Sequence, residues 1–205
     1  TEASAAFFTW TGLGGNSQWK NPANWSPNTG FPQELDTASV PFGAVVTAFD
    51  ATANQLANAG TVVYSGYHGD GGGLFLQGTV SNSGLIRPDS GAFHFAYVRG
   101  GTAATLTGGG TLAITSPNAL AVQNASVTGT PAVLTNSDNA IRGSGSIDGL
   151  APAGVAKGRI INNSLIVADR PGETLFVSGA VTNNGVLRAQ SGGIYQIYVN
   201  GPLIG

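Results

Sequence analysis

The chain contains no cysteine and no methionine among its 205 residues. Disulfides, thiolate metal sites and cysteine nucleophiles are therefore excluded. Charge is also scarce: Asp, Glu, Lys and Arg make up 9% of the residues, against roughly 25% in an average soluble domain. The eight Lys and Arg are scattered along the chain, so the sequence predicts no nucleic-acid partner.

Long hydrophobic runs and helical periodicity are missing as well. No stretch approaches the ~18 apolar residues of a transmembrane helix, so we expect no membrane insertion. No segment longer than two helical turns has apolar residues at i, i+3 and i+4 without Gly or Pro. The start, Thr1–Ala6, is typical of the mature end left after removal of a signal peptide, which predicts an extracellular or cell-surface location.

Glycine and short β-type segments dominate what remains. The 32 glycines accompany a 41% hydrophobic content, which favours a folded β protein with many corners over a disordered chain. Short runs of alternating apolar residues are bounded by Gly, Asn and Ser, as at Leu74/Leu76, Leu112/Ile114 and Leu175/Val177. Each run predicts a strand with one face turned inward.

A long-range repeat predicts how these strands are arranged. Residues 74–91 (LFLQGTVSNSGLIRPDSG) align without a gap with residues 175–192 (LFVSGAVTNNGVLRAQSG), at a shift of 101 positions. This shift is close to five units of about 20 residues, a length typical of stacked repeats. The sequence thus predicts an all-β fold in which successive turns of the chain stack into a parallel β-solenoid.

A shorter motif tests that period. Asn, any residue, then Gly or Ser begins at Asn58, Asn82, Asn124, Asn162 and Asn183. The distances in sequence between successive motifs correspond to one, two, two and one turns of the solenoid. The two turns that lack the motif should have their corners near residues 101–106 and 143–147. We therefore expect about seven turns from residue 56 to 205, with these asparagines stacked as a hydrogen-bonded ladder. The alternative is that Asn-x-Gly marks ordinary hairpins of a sandwich or barrel.

The first 45 residues differ from the rest and contain all three tryptophans. A stack of repeats needs an atypical end unit to cover its core, and large aromatic side chains suit that role. We interpret residues 1–45 as a cap or assembly segment, with Trp19 and Trp25 covering the core and Asp36 holding a turn. Residues 46–205 then form the solenoid.

This segment resembles the start of a repeat unit in the passenger proteins of bacterial autotransporters and related secreted surface proteins. The matching residues are Trp10, Thr11, Gly12, Trp19, Asn21, Pro22, Ala23, Asn24, Trp25, Ser26, Pro32, Asp36, Thr37 and Ala38. The Gly- and Asn-rich segments 78–84 and 179–185 are similar to the β-helical part of those proteins. The resemblance implies a right-handed parallel β-helix at the cell surface, used for adhesion, matrix or display. It implies no catalytic residues and no cofactor.

Catalytic chemistry has few candidates. His68 and Asp70 lie near Ser65, but no nucleophile elbow is present, so we interpret them as a polar turn. Glycosidases need two carboxyl groups, and the closest pairs in sequence are Glu34 with Asp36 and Asp169 with Glu173. We expect no catalytic site, no metal and no cofactor.

Four tyrosines are candidates either for sugar stacking or for an aromatic ladder: Tyr64, Tyr67, Tyr195 and Tyr198.

The two ends of such a stack suggest a function. Unpaired strand edges are sites for association, and both ends of the chain have apolar, uncharged runs. The predicted assembly residues are Phe7, Phe8 and Trp10 at the N-terminal strand and Ile194, Tyr195, Ile197, Tyr198 and Val199 at the C-terminal edge. Head-to-tail contacts would generate a filament, with the N-terminal run able to insert into a neighbour.

The sequence predicts a structural subunit of a surface filament or matrix, whose binding partner is another copy of the same chain. The alternatives are a non-polymerising adhesin that binds surface glycans and a polysaccharide-degrading enzyme.

Overall fold

The computed structural model describes residues 4–66, 73–91, 94–99, 101–123, 130–150 and 157–199. In this part of the chain the regular structure is a single 3₁₀ turn, Pro22–Asn24, and 22 strands. The prediction of an all-β protein is therefore confirmed. No helix among these residues has the length and hydrophobicity needed to cross a membrane.

The strands, numbered in chain order, fall into three sets of hydrogen-bonded neighbours, here called sheets 1, 2 and 3. Sheet 1 contains β1 (Phe7–Trp10), β2 (Trp25–Ser26), β3 (Thr37–Val40), β6 (Gln55–Asn58), β9 (Gly78–Asn82), β12 (Ala103–Thr107), β15 (Val133–Asn136), β18 (Arg159–Asn162) and the second half of β20 (Thr174–Asn183). Sheet 2 contains β4 (Val45–Phe49), β7 (Thr61–Ser65), β10 (Leu85–Pro88), β13 (Thr111–Ile114), β16 (Ala140–Gly143), β19 (Leu165–Ala168) and β21 (Val186–Ala189). Sheet 3 contains β5 (Ala51–Ala53), β8 (Leu74–Leu76), β11 (Phe95–Val98), β14 (Ala119–Gln123), β17 (Gly145–Leu150), the first half of β20 and β22 (Ile194–Val199).

The chain visits the three sheets in a fixed cycle. After β3 it passes from sheet 1 to sheet 2 to sheet 3 and back, and each strand pairs in parallel with the strand one cycle earlier. We call one such cycle a rung. Sheet 2 has seven strands, which gives seven rungs, the first beginning at β3. The long parallel sheets and the cyclic order of the strands are compatible with a β-solenoid.

The core lies between the three sheets, because one side chain in two along each strand points inward. In sheet 2 the inward residues form a continuous column: Val46, Val62, Ile86, Leu112, Ile141, Ile166 and Leu187. All of them except Leu187, in the last rung, are 0% exposed. Buried residues of all three sheets belong to one hydrophobic cluster, so each rung depends on its neighbours for burial.

The alignment of residues 74–91 with residues 175–192 matches the strand register in sheet 2, but in sheets 1 and 3 it differs from the register by two residues. In sheet 2, Leu85 belongs to the same column as Val186, as the shift of 101 predicts. In sheet 3, Leu74 belongs to the column of Val177 rather than that of Leu175. Sheet 1 shows the same displacement by two residues. Because side chains alternate with a period of two, such a shift keeps the inward residues inward.

Two adjacent isoleucines of β18 test which face of the strand is buried. Ile160 is fully buried, whereas Ile161 is half-buried on the other face. We expect Ile160→Ala to lower the free energy of unfolding by about 2–5 kcal/mol and Ile161→Ala by about 1 kcal/mol or less. Urea denaturation of the two variants measures the difference. Equal losses would contradict the face assignment.

Candidate functional site

Buried asparagines line the corner between sheets 1 and 2. The Asn58 side-chain amide donates to Asn82 Oδ1 at 2.7 Å, and the Asn162 amide donates to Asn183 Oδ1 at 2.8 Å. Each amide also binds backbone at the corner, as Asn162 Nδ2 does with the Ser164 carbonyl at 3.1 Å. Since every amide donates toward the next rung, the side chains form a directional ladder through otherwise apolar layers.

The fourth rung has no asparagine at this corner, so a hydrogen bond of the ladder joins the third rung directly to the fifth. In the fourth rung the corner is Gly108–Gly110, with no side chain. Asn139, from the fifth rung, accepts from the Asn82 amide at 2.8 Å across the gap. A Cβ on Gly110 would lie 2.5 Å from the Asn82 carbonyl and 2.8 Å from its Nδ2, so this corner has no room for a larger residue.

Asn136 continues the ladder beyond the gap. Its amide donates to the Asn139 carbonyl at 3.0 Å and to Asn162 Oδ1 at 2.9 Å, and its own Oδ1 accepts from the Asn139 backbone N–H at 3.2 Å. The neighbouring Asp138 carboxylate accepts from the Gly109 N–H at 3.0 Å, and this bond lowers the pKa of Asp138. The fourth and fifth corners are thus tied together by side chains from one loop.

The predicted ladder is confirmed at four of its five positions, and the fifth, Asn124, lies outside the described residues. The predicted missing corners were wrong: they are at 108–110 and 137–139 rather than at 101–106 and 143–147. Asn136 and Asn139 do not match the motif, which required Gly or Ser two residues after Asn, because Asp138 and Ile141 stand at those positions. A search for a buried Asn at the end of each strand would have found Asn136.

A second polar stack lies at the corner between sheets 2 and 3, and the sequence motifs did not predict it. Ser144 Oγ accepts from the Ser116 N–H at 3.0 Å and donates to the Glu173 carboxylate. One rung lower, the Asn118 side chain accepts from the His94 N–H at 2.6 Å. These contacts satisfy backbone groups that the corner leaves unpaired.

The tryptophans pack together at the N-terminal end, as the interpretation of a cap predicts. Trp25 is surrounded edge-on by Trp19 and Trp10, with ring centroids 4.9 and 5.1 Å away. Trp19 and Trp25 are each 1% exposed, and both indole N–H groups find backbone acceptors, the carbonyls of Pro32 and Trp19. This arrangement gives the first rungs an apolar cover whose polar atoms are satisfied.

Polar side chains hold the cap in its conformation. Asp36 accepts from the backbone N–H groups of Ala6 and Gln33, both at 2.8 Å, so it ties the first strand to the loop before β3. The buried Asn24 accepts from the Gly14 N–H at 2.8 Å and donates to the Gln18 carbonyl at 3.0 Å. Asn24 and Asp36 therefore have structural contacts here.

The N-terminal assembly residues lie within the chain's own sheet. β1 pairs in parallel with β3 and antiparallel with β2, so Phe8 and Trp10 are buried among the cap residues. Phe7 points the other way and is 59% exposed. The short antiparallel strand β2 occupies one end of sheet 1.

The C-terminal assembly residues lie on the last strand, β22, which pairs with β20. Tyr195 and Ile197 point inward but are only half-buried, while Ile194 and Tyr198 are exposed. The side chain of Val199 lies outside the described residues. Burial raises the pKa of the Tyr195 phenol, whose hydroxyl has no hydrogen-bond partner among the described residues.

Large exposed apolar side chains are confined to the two ends of the stack. Among the described residues they are Phe7, Leu13, Leu35, Phe42, Val45, Phe49, Phe176, Val186, Ile194 and Tyr198. None of them lies between residues 50 and 175, where the middle rungs are. Within the described ranges, the middle rungs therefore expose mainly polar or small side chains, whereas the two ends expose large apolar ones.

The catalytic candidates have structural partners or cannot be placed. Asp36 accepts two backbone hydrogen bonds, Asp169 pairs with Arg142, and Glu173 accepts from Ser144. His68, Asp70 and Tyr67 lie outside the described residues. Of the tyrosines that are described, Tyr64 is buried in the core, so it is excluded from sugar stacking. No group of three His, Asp or Glu within the described ranges could hold a metal ion.

Comparison of the chain with protein-family models, with curated proteins and with solved structures finds no match.

The ladder's contribution to stability is testable at adjacent residues. Asn162 is buried, and its loss removes one acceptor of the Asn136 amide and the donor to Asn183 Oδ1, whereas Asn163 is exposed. We expect Asn162→Ala to destabilise the protein by at least about 2 kcal/mol and Asn163→Ala by less than about 1 kcal/mol. Chemical denaturation measures both, and similar values would show that the ladder adds little.

The glycine corner gives a second test. Gly110→Ala places a Cβ against Asn82, whereas Gly30→Ala meets only Phe8 at 3.9 Å. We expect the first substitution to lower the free energy of unfolding by about 1–3 kcal/mol, because overpacking displaces the ladder, and the second to have little effect. Thermal melts of the two variants distinguish them. An unchanged melting temperature for Gly110→Ala would contradict the close approach.

Proposed function

We propose that the three sheets close into a right-handed parallel β-helix, and that this chain is an extracellular structural subunit that assembles head to tail. The observation that carries the proposal is that, in the part of the chain that the structure describes, large exposed apolar side chains occur only at the two ends of the stack. Exposed apolar patches on a soluble protein are typical of interaction surfaces. The resemblance of the N-terminal segment to autotransporter-type passenger proteins supports the location and the handedness.

The two ends differ, which determines the type of contact. The N-terminal end has the tryptophan cap with exposed Phe7 and Phe42, while the C-terminal end has the half-buried inner residues of the last rung. A contact between unlike surfaces is heterologous, and it extends into an open filament unless a rotation closes it into a ring. The stacking axis would then continue from one subunit to the next.

The burial gained at this contact comes mainly from the last rung. Its inner residues Leu187 and Tyr195 already pack on the core but remain half-exposed, unlike their counterparts in earlier rungs. A neighbouring subunit that covers Leu187 and Tyr195 would bury them as fully as the corresponding residues of the earlier rungs. It could also supply an acceptor for the Tyr195 hydroxyl. Because β1 pairs within its own chain, the proposed contact is an end-to-end stack rather than a strand exchanged between subunits.

A second candidate function is adhesion without polymerisation. Phe176 and Tyr198 stack face to face on the outer side of sheet 3, with ring centroids 6.1 Å apart, and both are exposed. Exposed aromatic faces of this kind bind sugar rings through their apolar surfaces. In this case the C-terminal end would contact a glycan instead of another subunit.

Complementary blocked variants test the assembly. We expect the native chain to scatter light as a particle that grows with concentration beyond the 20.5 kDa monomer. Phe7→Glu/Phe42→Glu blocks one end and Ile194→Lys/Tyr198→Lys the other, because a buried unpaired charge is strongly unfavourable. Each variant alone should remain monomeric, and an equimolar mixture should form dimers only, since each partner retains one intact end.

Thr135→Lys, on the outer face of a middle rung, is the matched control and should assemble like the native chain. A native protein that stays monomeric at all concentrations, or blocked variants that fail to dimerise when mixed, would overturn the head-to-tail model. A monomer that nevertheless binds glycans, with binding lost in Tyr198→Ala, would favour the adhesin.

A further inference from the structure

Arginines recur at alternate rungs on the outer face of sheet 2. The outward column that contains Val63 continues through Arg87, Ala113, Arg142, Val167 and Arg188. Each arginine is thus separated from the next by one small or apolar residue. With neighbouring strands about 4.8 Å apart, the guanidinium groups originate at intervals of about 9–10 Å along the stack.

A shallow groove runs beside this column. Thr111 and Ala113 form its floor, with the buried Gly143 beside them, and the loop Asp169–Arg170–Pro171 forms one side. Arg87 and Arg142 lie at successive positions along it. Because its lining residues come from successive rungs, the groove follows the direction of the stack, which suits an extended ligand rather than a compact one.

Two of the arginines are held in position. Asp169, with a side chain 9% exposed, accepts from Arg142 Nε at 2.7 Å, while the Arg142 side chain itself stays 46% exposed. Arg87 donates through Nη1 to the Pro88 carbonyl at 3.0 Å and is half-buried. Both retain guanidinium N–H groups that these bonds do not use, and Arg guanidinium binds carboxylates in a bidentate geometry.

This face differs in charge from the rest of the chain. The protein has a net charge of -2 and eight Lys and Arg in total. Four of the eight, Arg87, Arg142, Arg170 and Arg188, are on or beside this face, together with the acidic residues Asp89, Asp169 and Glu173. The face therefore has a small excess of positive charge on a weakly acidic protein, which attracts an anionic partner.

We propose that the outer face of sheet 2 binds a linear, carboxylated polysaccharide, laid parallel to the stack with acidic sugars at the arginines. An interval of 9–10 Å is close to the length of two sugar residues in an extended glycan, so alternate sugars would meet successive arginines. This inference does not rest on the end-to-end assembly.

The experiment uses linear polygalacturonate as the probe, measured by calorimetry at low ionic strength against its fully methyl-esterified form. The protein is an Ile194→Glu/Tyr198→Glu variant, which blocks the C-terminal end without adding positive charge, so that polymerisation does not contribute. We expect the carboxylated polymer to bind, the ester not to bind, and added salt to weaken binding. Arg87→Gln/Arg188→Gln should reduce the affinity at least about tenfold, since two charge-assisted contacts are lost.

Arg159→Gln is the control, because Arg159 is exposed like Arg188 but lies on sheet 1. It should bind like the parent, and melting curves should show that all variants are folded. Arg142 is left intact, since its removal leaves Asp169 without its partner. Equal binding of the ester, equal loss in the Arg159 variant, or no binding at low salt would overturn the proposal. So would tighter binding of single-stranded DNA or of anionic lipid vesicles.

Discussion

The structure depends on parallel strands that stack in register, so that each side chain lies beside its counterpart one rung away. In such a stack, like residues meet like residues throughout. Apolar side chains gain by this arrangement, because columns such as Ile86, Leu112 and Ile141 exclude water from one another. Asparagine also gains, since its amide both donates and accepts and can bond to a copy of itself.

The same constraint limits charge. Identical charged side chains in adjacent rungs would repel each other, so a stack tolerates few of them. This limit accounts for a charged content of only 9%. Where arginines do recur in a column, Ala113 and Val167 separate them, and Arg142 has Asp169 beside it. The regular spacing of positive charge follows from this separation.

Stacking tolerates variation in rung length as long as the inward face is conserved. Ile197 pairs with Val177, 20 residues earlier, whereas Asn136 pairs with Leu106, 30 residues earlier. The extra residues are accommodated at the corners and between strands. At the fourth corner, glycines leave room for Asn139 to reach Asn82, so the ladder continues although the repeat does not. An interrupted sequence repeat is therefore compatible with an uninterrupted hydrogen-bonded ladder.

Local sequence was sufficient for the all-β class, the positions of most strands and four members of the asparagine ladder, because alternation and corner residues act over a few positions. It also identified the tryptophans as the cover of one end. It was not sufficient for the place of Leu74, two residues away from the repeat alignment, or for Asn139 as the bridge across Gly108–Gly110. Pairing register and contacts between rungs join residues 20 to 30 positions apart, and their outcome depends on how the whole stack packs. Likewise, the alternate-rung arginines became visible only once the strands were aligned, since sequence spacing alone does not reveal which residues share a face.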